Sequence, residues 1–470
     1  MPSEPHTPGR QAAKTELFLD AAQRAAAYIG SSHERGVFPT EEALRGLDRF
    51  PTELNDAGIG ADKVVAMLDE FGSPATVTST GGRYFGFVNG GTDPAASAAS
   101  VLLGAWDQNT ALPVMSPVGA RLDEIAARWS LELLGLPDTA IAAFCPGASV
   151  ANLTCLIAAR DALLLRSGWN VDERGLAGAP PLKVVASEEI HASVAKALRA
   201  AGIGTDQVVS APTDECGRVR ADLFPTVDET TIVLLQAGNV NTGHSDPFLK
   251  LIPGLRRRGA WVHIDGAFGL WAGASETQRR HTDGAELADS WATDAHKWLN
   301  ASYDCGIAIC RNPDDLRRAM AFSAAYMDSD AERAGAHLGL QMSQRARGAE
   351  IWAILAGLGR KGVADLVHRL CRRAEQMASL LDEAGVTVLV PPALNQVLVR
   401  FDDDETTEAV IAAVQKDRTC WAGGTVWQGR RAMRISVSDA STTPEDIAVS
   451  AEAMVRCWNR VAAGPGTTSE

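Results

Sequence analysis

Residues 260–311 read AWVHIDGAFGLWAGASETQRRHTDGAELADSWATDAHKWLNASYDCGIAICR and contain three short, nearly continuous apolar segments. Segments of this length with few polar residues are typical of strands buried on both faces of a sheet. Asp265 lies at the end of the first segment, and Lys297 follows the second. Because parallel strands end at one edge of a sheet, we expect Asp265 and Lys297 to face the same ligand. The segments are 260–267, 289–295 and 305–311.

Short apolar segments and helical patterns alternate outward from this region, beginning at about residue 140. This alternation predicts an α/β domain whose sheet is largely parallel and flanked by helices on both faces. Such sheets bind ligands at the carboxyl ends of their strands. The further strand candidates are AAFCPG (142–147), KVVASEE (183–189) and TTIVLLQAG (230–238).

The sequence pattern changes on both sides of this domain. Helical patterns precede it, and after residue 345 helices dominate again, with strand candidates at 386–391 and 396–401. This predicts a helical N-terminal segment and a smaller C-terminal α+β domain. The expected boundaries are 1–90 for the N-terminal segment, 91–345 for the large domain, 346–463 for the small domain and 464–470 for a loose tail.

Charge and composition exclude several classes of function. The chain has 44 Lys plus Arg against 58 Asp plus Glu, a net charge of −14, which argues against nucleic acid or an anionic membrane as partner. No apolar run approaches the roughly 18 residues of a membrane span, and the N-terminus lacks the apolar centre of a signal peptide. The eight cysteines are scattered without a C-x-x-C pair, so neither a disulfide framework nor a metal site is predicted. We therefore expect a cytoplasmic protein.

Two further candidate strand ends carry groups suited to a ligand. FCPGASVAN (144–152) passes from a strand into a helix, where free N–H groups can hold a phosphate. SEEIHASVAKAL (187–198) leads from a strand through His191 into another helix. Alone, each feature is more often a helix cap or an ordinary loop histidine. Together with Asp265 and Lys297 they describe pyridoxal 5′-phosphate, which needs a phosphate cradle, an acidic partner for its ring nitrogen and a lysine for its aldehyde.

The motifs HIDGAFG (263–269) and DAHKWLN (294–300) are the most specific in the chain. With them, the sequence resembles the group II pyridoxal-phosphate-dependent amino-acid decarboxylases, from about residue 80 to about residue 450. The resemblance implies fold type I, the aspartate-aminotransferase-like fold, with a mostly parallel sheet of the seven-stranded type. It also implies a homodimer whose active sites are shared between subunits.

The resemblance assigns roles around the cofactor ring. Lys297 would bind the cofactor covalently, and Asp265 would pair with the pyridine nitrogen. His191 would stack on one face of the ring, and Ala267 would pack against the other.

Other roles concern the phosphate and the edge of the ring. Ala148 and Ser149 would bind the phosphate, and His296 would contact either the phosphate or the substrate carboxylate. Asn239, where the family usually has a threonine, would form a hydrogen bond near the phenolic oxygen of the cofactor. Arg434, within MRISVSDASTTPEDI (433–447), is interpreted as structural.

Aromatic residues near the start of the large domain match the family's substrate pocket. The segment RYFGF (83–87) and the following WDQNTALPVMSP (106–117) carry them. The alternative, that they belong to the ordinary core, stays open. The candidates for the substrate pocket are Tyr84, Phe85, Phe87 and Trp106.

One loop departs from the pattern of the aromatic amino acid decarboxylases, in which it carries a tyrosine that donates a proton to the substrate carbon. The loop DSDAERAGAHLGLQMSQR (328–345) contains no tyrosine. His337 is a candidate donor, with a solvated loop histidine as the alternative reading, and Tyr326 precedes the loop. The departure leaves the fate of the substrate carbon open.

The expected activity is decarboxylation of an L-amino acid with an aromatic or apolar side chain to an amine and carbon dioxide. The alternative is another pyridoxal-phosphate reaction on the same scaffold, namely oxidative deamination to an aldehyde, transamination or carbon–carbon cleavage. A third reading is a catalytically silent binding protein, against which the combination of Lys297, Asp265 and His191 argues.

Overall fold

The computed structural model describes residues 8–54, 56–321 and 334–464. The expected loose tail beyond residue 464 and the first seven residues lie outside these ranges. The helices are α1 (Pro8–Ser31), α2 (Glu41–Gly46), α3 (Ala61–Met67), α4 (Pro94–Trp106), α5 (Pro117–Leu134), α6 (Ala148–Arg166), α7 (Val171–Arg174), α8 (Ala192–Ala200), α9 (Phe248–Arg257), α10 (Pro313–Met320), α11 (Arg347–Glu383), α12 (Asp404–Asp417) and α13 (Pro444–Ala462).

A seven-stranded sheet forms the centre of the large domain, with strand order β1-β7-β6-β5-β4-β2-β3. Strand β7 runs antiparallel to both of its neighbours, and the other pairs are parallel. The predicted α/β class, with a mostly parallel sheet, is therefore confirmed. The strands are β1 (Ile141–Cys145), β2 (Lys183–Ser187), β3 (Val208–Ala211), β4 (Thr231–Gln236), β5 (Trp261–Asp265), β6 (Ser290–Asp294) and β7 (Gly306–Cys310).

Strand register brings the functional strand ends together. Asp265, the last residue of β5, lies beside Ala292 of β6. Lys297 follows β6 by three residues, so both side chains emerge at the carboxyl edge of neighbouring parallel strands. Helix α6 is long and apolar enough to span a membrane, but most of it is buried, and it packs along the sheet as a core helix.

A four-stranded antiparallel sheet lies in the C-terminal part, with strand order β10-β11-β9-β8. Helix α11 packs on both this sheet and α5 of the large domain, and Gly359, with φ of +62°, interrupts its helical geometry. The expected boundary near residue 345 falls just before α11. The strands are β8 (Thr387–Val388), β9 (Gln396–Arg400), β10 (Gly423–Trp427) and β11 (Arg430–Ser436).

A buried histidine joins the central strands to α6. His263 of β5 is fully buried; its Nε2 lies 2.8 Å from Oδ1 of Asn152, and its Nδ1 lies 2.9 Å from the Ser290 hydroxyl. The indole N–H of Trp261 also donates to Ser290 Oγ, so the hydroxyl is left to donate to Nδ1. This arrangement needs the neutral ring, and burial lowers the pKa of His263 to about 3.

We expect acid to destabilise the fold through His263. Its pKa is about 6.5 when unfolded and about 3 when folded. Between these values the unfolded chain binds a proton that the folded chain excludes, so the free energy of unfolding falls as pH drops below 6.5. From pH 7 to pH 5.5 this histidine should remove about 1 kcal/mol. Urea unfolding of His263→Gln should show a shallower dependence on pH over this range.

The matched control is His33→Gln, because His33 is exposed. Its pH dependence should follow that of the wild-type protein. An identical slope in His263→Gln and the wild-type protein would contradict a neutral, buried His263.

Candidate active site

A cavity of about 430 Å³ opens at the carboxyl edge of the large sheet. Residues from the ends of β1, β4, β5 and β6 and from the start of α8 line it. Seven of the residues proposed from sequence therefore share one site, although they are spread over 150 positions of the chain. They are Ala148, Ser149, His191, Asp265, Ala267, His296 and Lys297.

Lys297 and His296 both face a carboxylate that the sequence analysis did not single out. The Nζ atom of Lys297 lies 3.3 Å from Oδ2 of Asp294, and Nε2 of His296 lies 3.7 Å from the same oxygen. The backbone N–H of Cys305 donates to Nδ1 of His296 at 3.1 Å, which places the ring proton on Nε2. Burial lowers the pKa of His296, and the charge of Asp294 opposes the shift. His296 is therefore a neutral donor directed into the site.

Asp265 is almost completely buried, and the N–H of Ala267 donates to its Oδ1 at 3.2 Å. Burial raises the pKa of this carboxyl, and the charge of Lys297 opposes the shift. In the described part of the chain, no arginine or lysine forms an ion pair with it. A buried carboxylate without a cation is costly, so it suits a ligand that brings a positive charge, such as a protonated pyridine nitrogen.

The start of α6 has the form of an anion cradle. Gly147 precedes the helix with φ of +156°, and a Cβ there would come within 3.1 Å of the His296 ring. The helix has no side-chain cap, and the N–H of Ala148 donates to Oδ1 of Asp294 at 2.5 Å. The Ser149 hydroxyl is exposed toward the cavity. The donors that remain at this helix N-terminus, the N–H and hydroxyl of Ser149, fit a phosphate, so the residues present are suited to pyridoxal phosphate.

His191 stands at the other side of the cavity as the N-cap of α8. Its Nδ1 lies 2.7 Å from the Ser193 hydroxyl and accepts the Ser193 N–H at 3.2 Å, which fixes the orientation of the ring. Burial lowers the pKa of His191; the charge of Asp265 opposes this shift, and the charges of Lys297 and Arg434 support it. A neutral ring held in this way suits stacking on a cofactor.

Asn239 does not line the cavity. Its Oδ1 accepts the N–H groups of Asn241 and Thr242 within its own loop. The cavity wall at this point is instead formed by Gln236, Gly238 and Val240. The loop uses the Asn239 oxygen for its own turn, whereas the amide nitrogen is buried without a partner among the described residues, and the contact with the phenolic oxygen stays a prediction.

The aromatic residues proposed for the substrate pocket also lie outside the cavity of their own chain. Tyr84 and Phe87 stack on Trp421, with ring centroids 5.1 and 5.4 Å apart, respectively. Phe85 is fully buried in the main core, as the alternative reading held. Trp106 ends α4 with 45% of its surface exposed. Packing against the small domain, which the sequence does not reveal, accounts for Tyr84 and Phe87.

His337 also lies away from this cavity. It belongs to a short 3₁₀ turn whose Ala336 N–H donates to the carbonyl oxygen of Ala111. Within its own chain, the structure does not support His337 as a donor at Lys297. Tyr326 and the first part of the 328–345 loop lie outside the described residues.

Besides Asp294, the sequence analysis missed two residues of the cavity wall and misread one residue near it. Tyr303 and Asn89 line the cavity, and the Tyr303 hydroxyl donates to Oδ1 of Asn89 at 2.8 Å. Arg434 was interpreted as structural, yet among the described residues it has no ion pair or hydrogen bond, and its charge acts on His191. The one sequence signal was position, since Tyr303 lies in the loop that leads from Lys297 into β7.

The comparison with known proteins agrees with the geometry of this site. The family model described as the pyridoxal-dependent decarboxylase conserved domain matches residues 50–402. The chain belongs to the pyridoxal-dependent decarboxylase family. The predicted family and pyridoxal cofactor are therefore confirmed.

The names of curated relatives of this chain give different substrates. An acidic amino acid decarboxylase of Mus musculus is 27% identical over 70% of the chain and 61% of its own length. An aromatic-L-amino-acid decarboxylase of Bacillus atrophaeus is 29% identical, covering 66% of the chain and 63% of the relative. An L-2,4-diaminobutyrate decarboxylase of Acinetobacter baumannii is 27% identical, covering 64% of each. The chain thus spans less than two thirds of the length of these relatives.

Solved structures of decarboxylases share the fold. Oryza sativa TDC with pyridoxal phosphate and tryptamine has a TM-score of 0.86 and 21% identity, covering 98% of this chain and 100% of that one. Mouse CSAD in its apo form also has a TM-score of 0.86 and 21% identity, covering 95% and 99%. The predicted fold type is thereby confirmed.

Proposed function

We propose that this pyridoxal-dependent decarboxylase removes the α-carboxylate of an L-amino acid as carbon dioxide and leaves the amine. The observation that carries the proposal is the meeting of Lys297, Asp265 and the α6 cradle in one cavity. Family membership supports the same reaction class.

When bound, pyridoxal phosphate supplies an aldehyde that combines with amines and a ring that accepts the electron pair left on the α-carbon. The α6 cradle would hold its phosphate end. Asp265 would keep its ring nitrogen protonated, and the neutral His191 would cover one face of the ring. Lys297 Nζ would bind its aldehyde carbon and could move a proton within the cavity.

We assign the substrate α-carboxylate to Arg434. Its guanidinium is half-buried on β11, and its charge acts on His191, which borders the cavity. Burying a cation is costly unless an anion meets it, and the described residues provide none. A carboxylate of the substrate would satisfy it.

Oxidative deamination to an aldehyde is the second candidate. One relative, a phenylacetaldehyde synthase of Arabidopsis thaliana, is 25% identical over 71% of the chain. The lack of a tyrosine in the 328–345 loop favours the same alternative, because protonation of the α-carbon completes the decarboxylation.

Product analysis tests the proposal. The protein, saturated with pyridoxal phosphate, is incubated with each common amino acid, and carbon dioxide, amine, aldehyde and ammonia are measured together. Equal amounts of carbon dioxide and amine are expected. Aldehyde and ammonia formed with consumption of oxygen would instead assign oxidative deamination, and a keto acid without carbon dioxide would assign transamination.

We further propose that the protein is a homodimer. Large apolar side chains are exposed just after α3, on α4 and in the loop after α4, and a second copy of the chain would cover them. Light scattering at micromolar concentration should give twice the chain mass of 49.7 kDa. A fully active monomer would contradict this proposal. The residues concerned are Leu68, Leu102, Trp106, Val114 and Met115.

A further inference from the structure

Tyr303 and Asn89 form a neutral polar pair in the wall of the cavity. The Tyr303 hydroxyl donates to Oδ1 of Asn89 at 2.8 Å, and its ring packs on His296 with centroids 4.5 Å apart. Over half of the Tyr303 surface, 56%, remains exposed. The hydroxyl is therefore fixed in position while the ring still presents a surface to a ligand.

A close backbone approach at Gly90 places the pair beside Lys297. Gly90 follows Asn89, and a Cβ at this position would overlap the backbone carbonyl oxygen of Lys297. Any other residue would push the segment away. The close approach places Asn89 next to the backbone of Lys297, and the Tyr303 loop returns to the same point from the other side.

The hydrogen-bonding capacity of the pair is only partly used. Once Tyr303 donates to Asn89, its hydroxyl oxygen can still accept, and the Asn89 amide nitrogen can still donate. Within the described ranges, that amide nitrogen has no hydrogen-bond partner. The pair thus offers one acceptor and one donor side by side, and an uncharged hydroxyl group can satisfy both at once.

The charged residues of the cavity further restrict the class of side chain that the pair can bind. Lys297 is the one lysine or arginine among the described lining residues, and the proposed function already uses it. Asp265 and Asp294 are the lining carboxylates. A second carboxylate on the substrate would find no free cation in this wall, and hydrocarbon alone would leave the Asn89 amide unpaired.

We infer that Tyr303 and Asn89 form a subsite that recognises a ring hydroxyl on the side chain of an aromatic amino acid. The inference rests on the proposed function, because it names the substrate class of that site. Tyr303 supplies an aromatic surface for the substrate ring, and the hydroxyl–amide pair binds the oxygen. A site built for a hydroxyl discriminates against the analogue that lacks it, because its polar groups are then left unpaired.

L-Tyrosine and L-phenylalanine are the test pair, since they differ only in the ring hydroxyl. The wild-type protein should consume L-tyrosine with a kcat/KM at least about tenfold above that for L-phenylalanine. Tyr303→Phe and Asn89→Leu should each lower kcat/KM for L-tyrosine about tenfold and change that for L-phenylalanine much less. The ratio of kcat/KM for L-tyrosine to kcat/KM for L-phenylalanine should therefore approach one in both variants.

Two controls keep the result specific. Tyr28→Phe removes a phenol that contacts Thr76 far from the cavity, so it should retain the wild-type preference. Tyramine should inhibit the wild-type protein more strongly than phenethylamine does, and both subsite variants should lose this difference. Inhibition constants measure binding separately from turnover.

Consumption of the amino acids and identity of the products are recorded separately. An unexpected product overturns decarboxylation but leaves the substrate preference measurable. A wild-type protein that consumes neither amino acid, prefers L-phenylalanine, or keeps its preference in both variants overturns the subsite.

Discussion

Replacing Lys297 with alanine is expected to abolish turnover, lowering kcat by roughly 10⁴-fold or more, because both covalent attachment and proton transfer by the amine are lost. The wild-type protein treated with pyridoxal phosphate and borohydride should retain the cofactor after denaturation, attached at Lys297. The alanine variant should release it. Peptide mass analysis checks the attachment, and carbon dioxide release checks the turnover.

The variant Lys297→Arg tests whether turnover needs only the positive charge of Lys297 or also its bond to the aldehyde. Arginine can keep an ion pair with Asp294, which lies 3.3 Å from the lysine nitrogen, but it forms no bond to the aldehyde. This variant should fold and be as inactive as the alanine variant. Lys361, exposed on α11, is the matched surface position, and Lys361→Ala should keep full activity. Borohydride attachment at any other lysine would show that the strand-end assignment is wrong.

Asp265→Asn is expected to reduce kcat by roughly 10²–10³-fold while the cofactor still binds, because a preorganised charge in a buried site is removed. The carboxylate favours protonation of the ring nitrogen by about 1–3 pKa units, and asparagine keeps the shape without that charge. The absorption band of the bound cofactor should remain, shifted in wavelength, when kcat falls.

Asp265→Glu provides the control for charge. It retains a carboxylate in a displaced position and should be less impaired than the asparagine variant. Near-normal turnover in Asp265→Asn would show that another residue faces the ring nitrogen.

The fold could be predicted where burial left a simple pattern. Strands β1, β2 and β4 to β7 are continuous apolar segments because helices cover both faces of the sheet, and all six were found. Strand β3, at the sheet edge, has two exposed residues of four and was missed. Strand β10, at the edge of the small sheet, was missed because it begins with two glycines and has two exposed residues of five. Strand β11 lies inside that sheet, but its three arginines interrupt the apolar pattern, and it was missed as well.

Some residues of the site could also be predicted from sequence, and others could not. Lys297, Asp265 and His191 could be placed because each follows a strand whose end must lie at the ligand edge. Asn89 and Tyr303 could not, since they reach the cavity through loops whose paths depend on the close approach at Gly90. The stacking of Tyr84 and Phe87 on Trp421, more than 300 residues later, could not be predicted from sequence, and their place in a substrate pocket shared between subunits stays a prediction.

The hydrogen bond from Ala148 to Asp294 has a consequence for affinity. Because Asp294 already accepts the N–H at the head of α6, the backbone of the cradle is ordered in the free protein. An arriving phosphate exchanges one acceptor for another, and the entropy of ordering a loop is not lost at that moment. The other oxygen of Asp294 lies 3.3 Å from Lys297 Nζ, so the same carboxylate contacts both the cradle and the amine. The order of the cradle and the position of the amine thus depend on a single side chain.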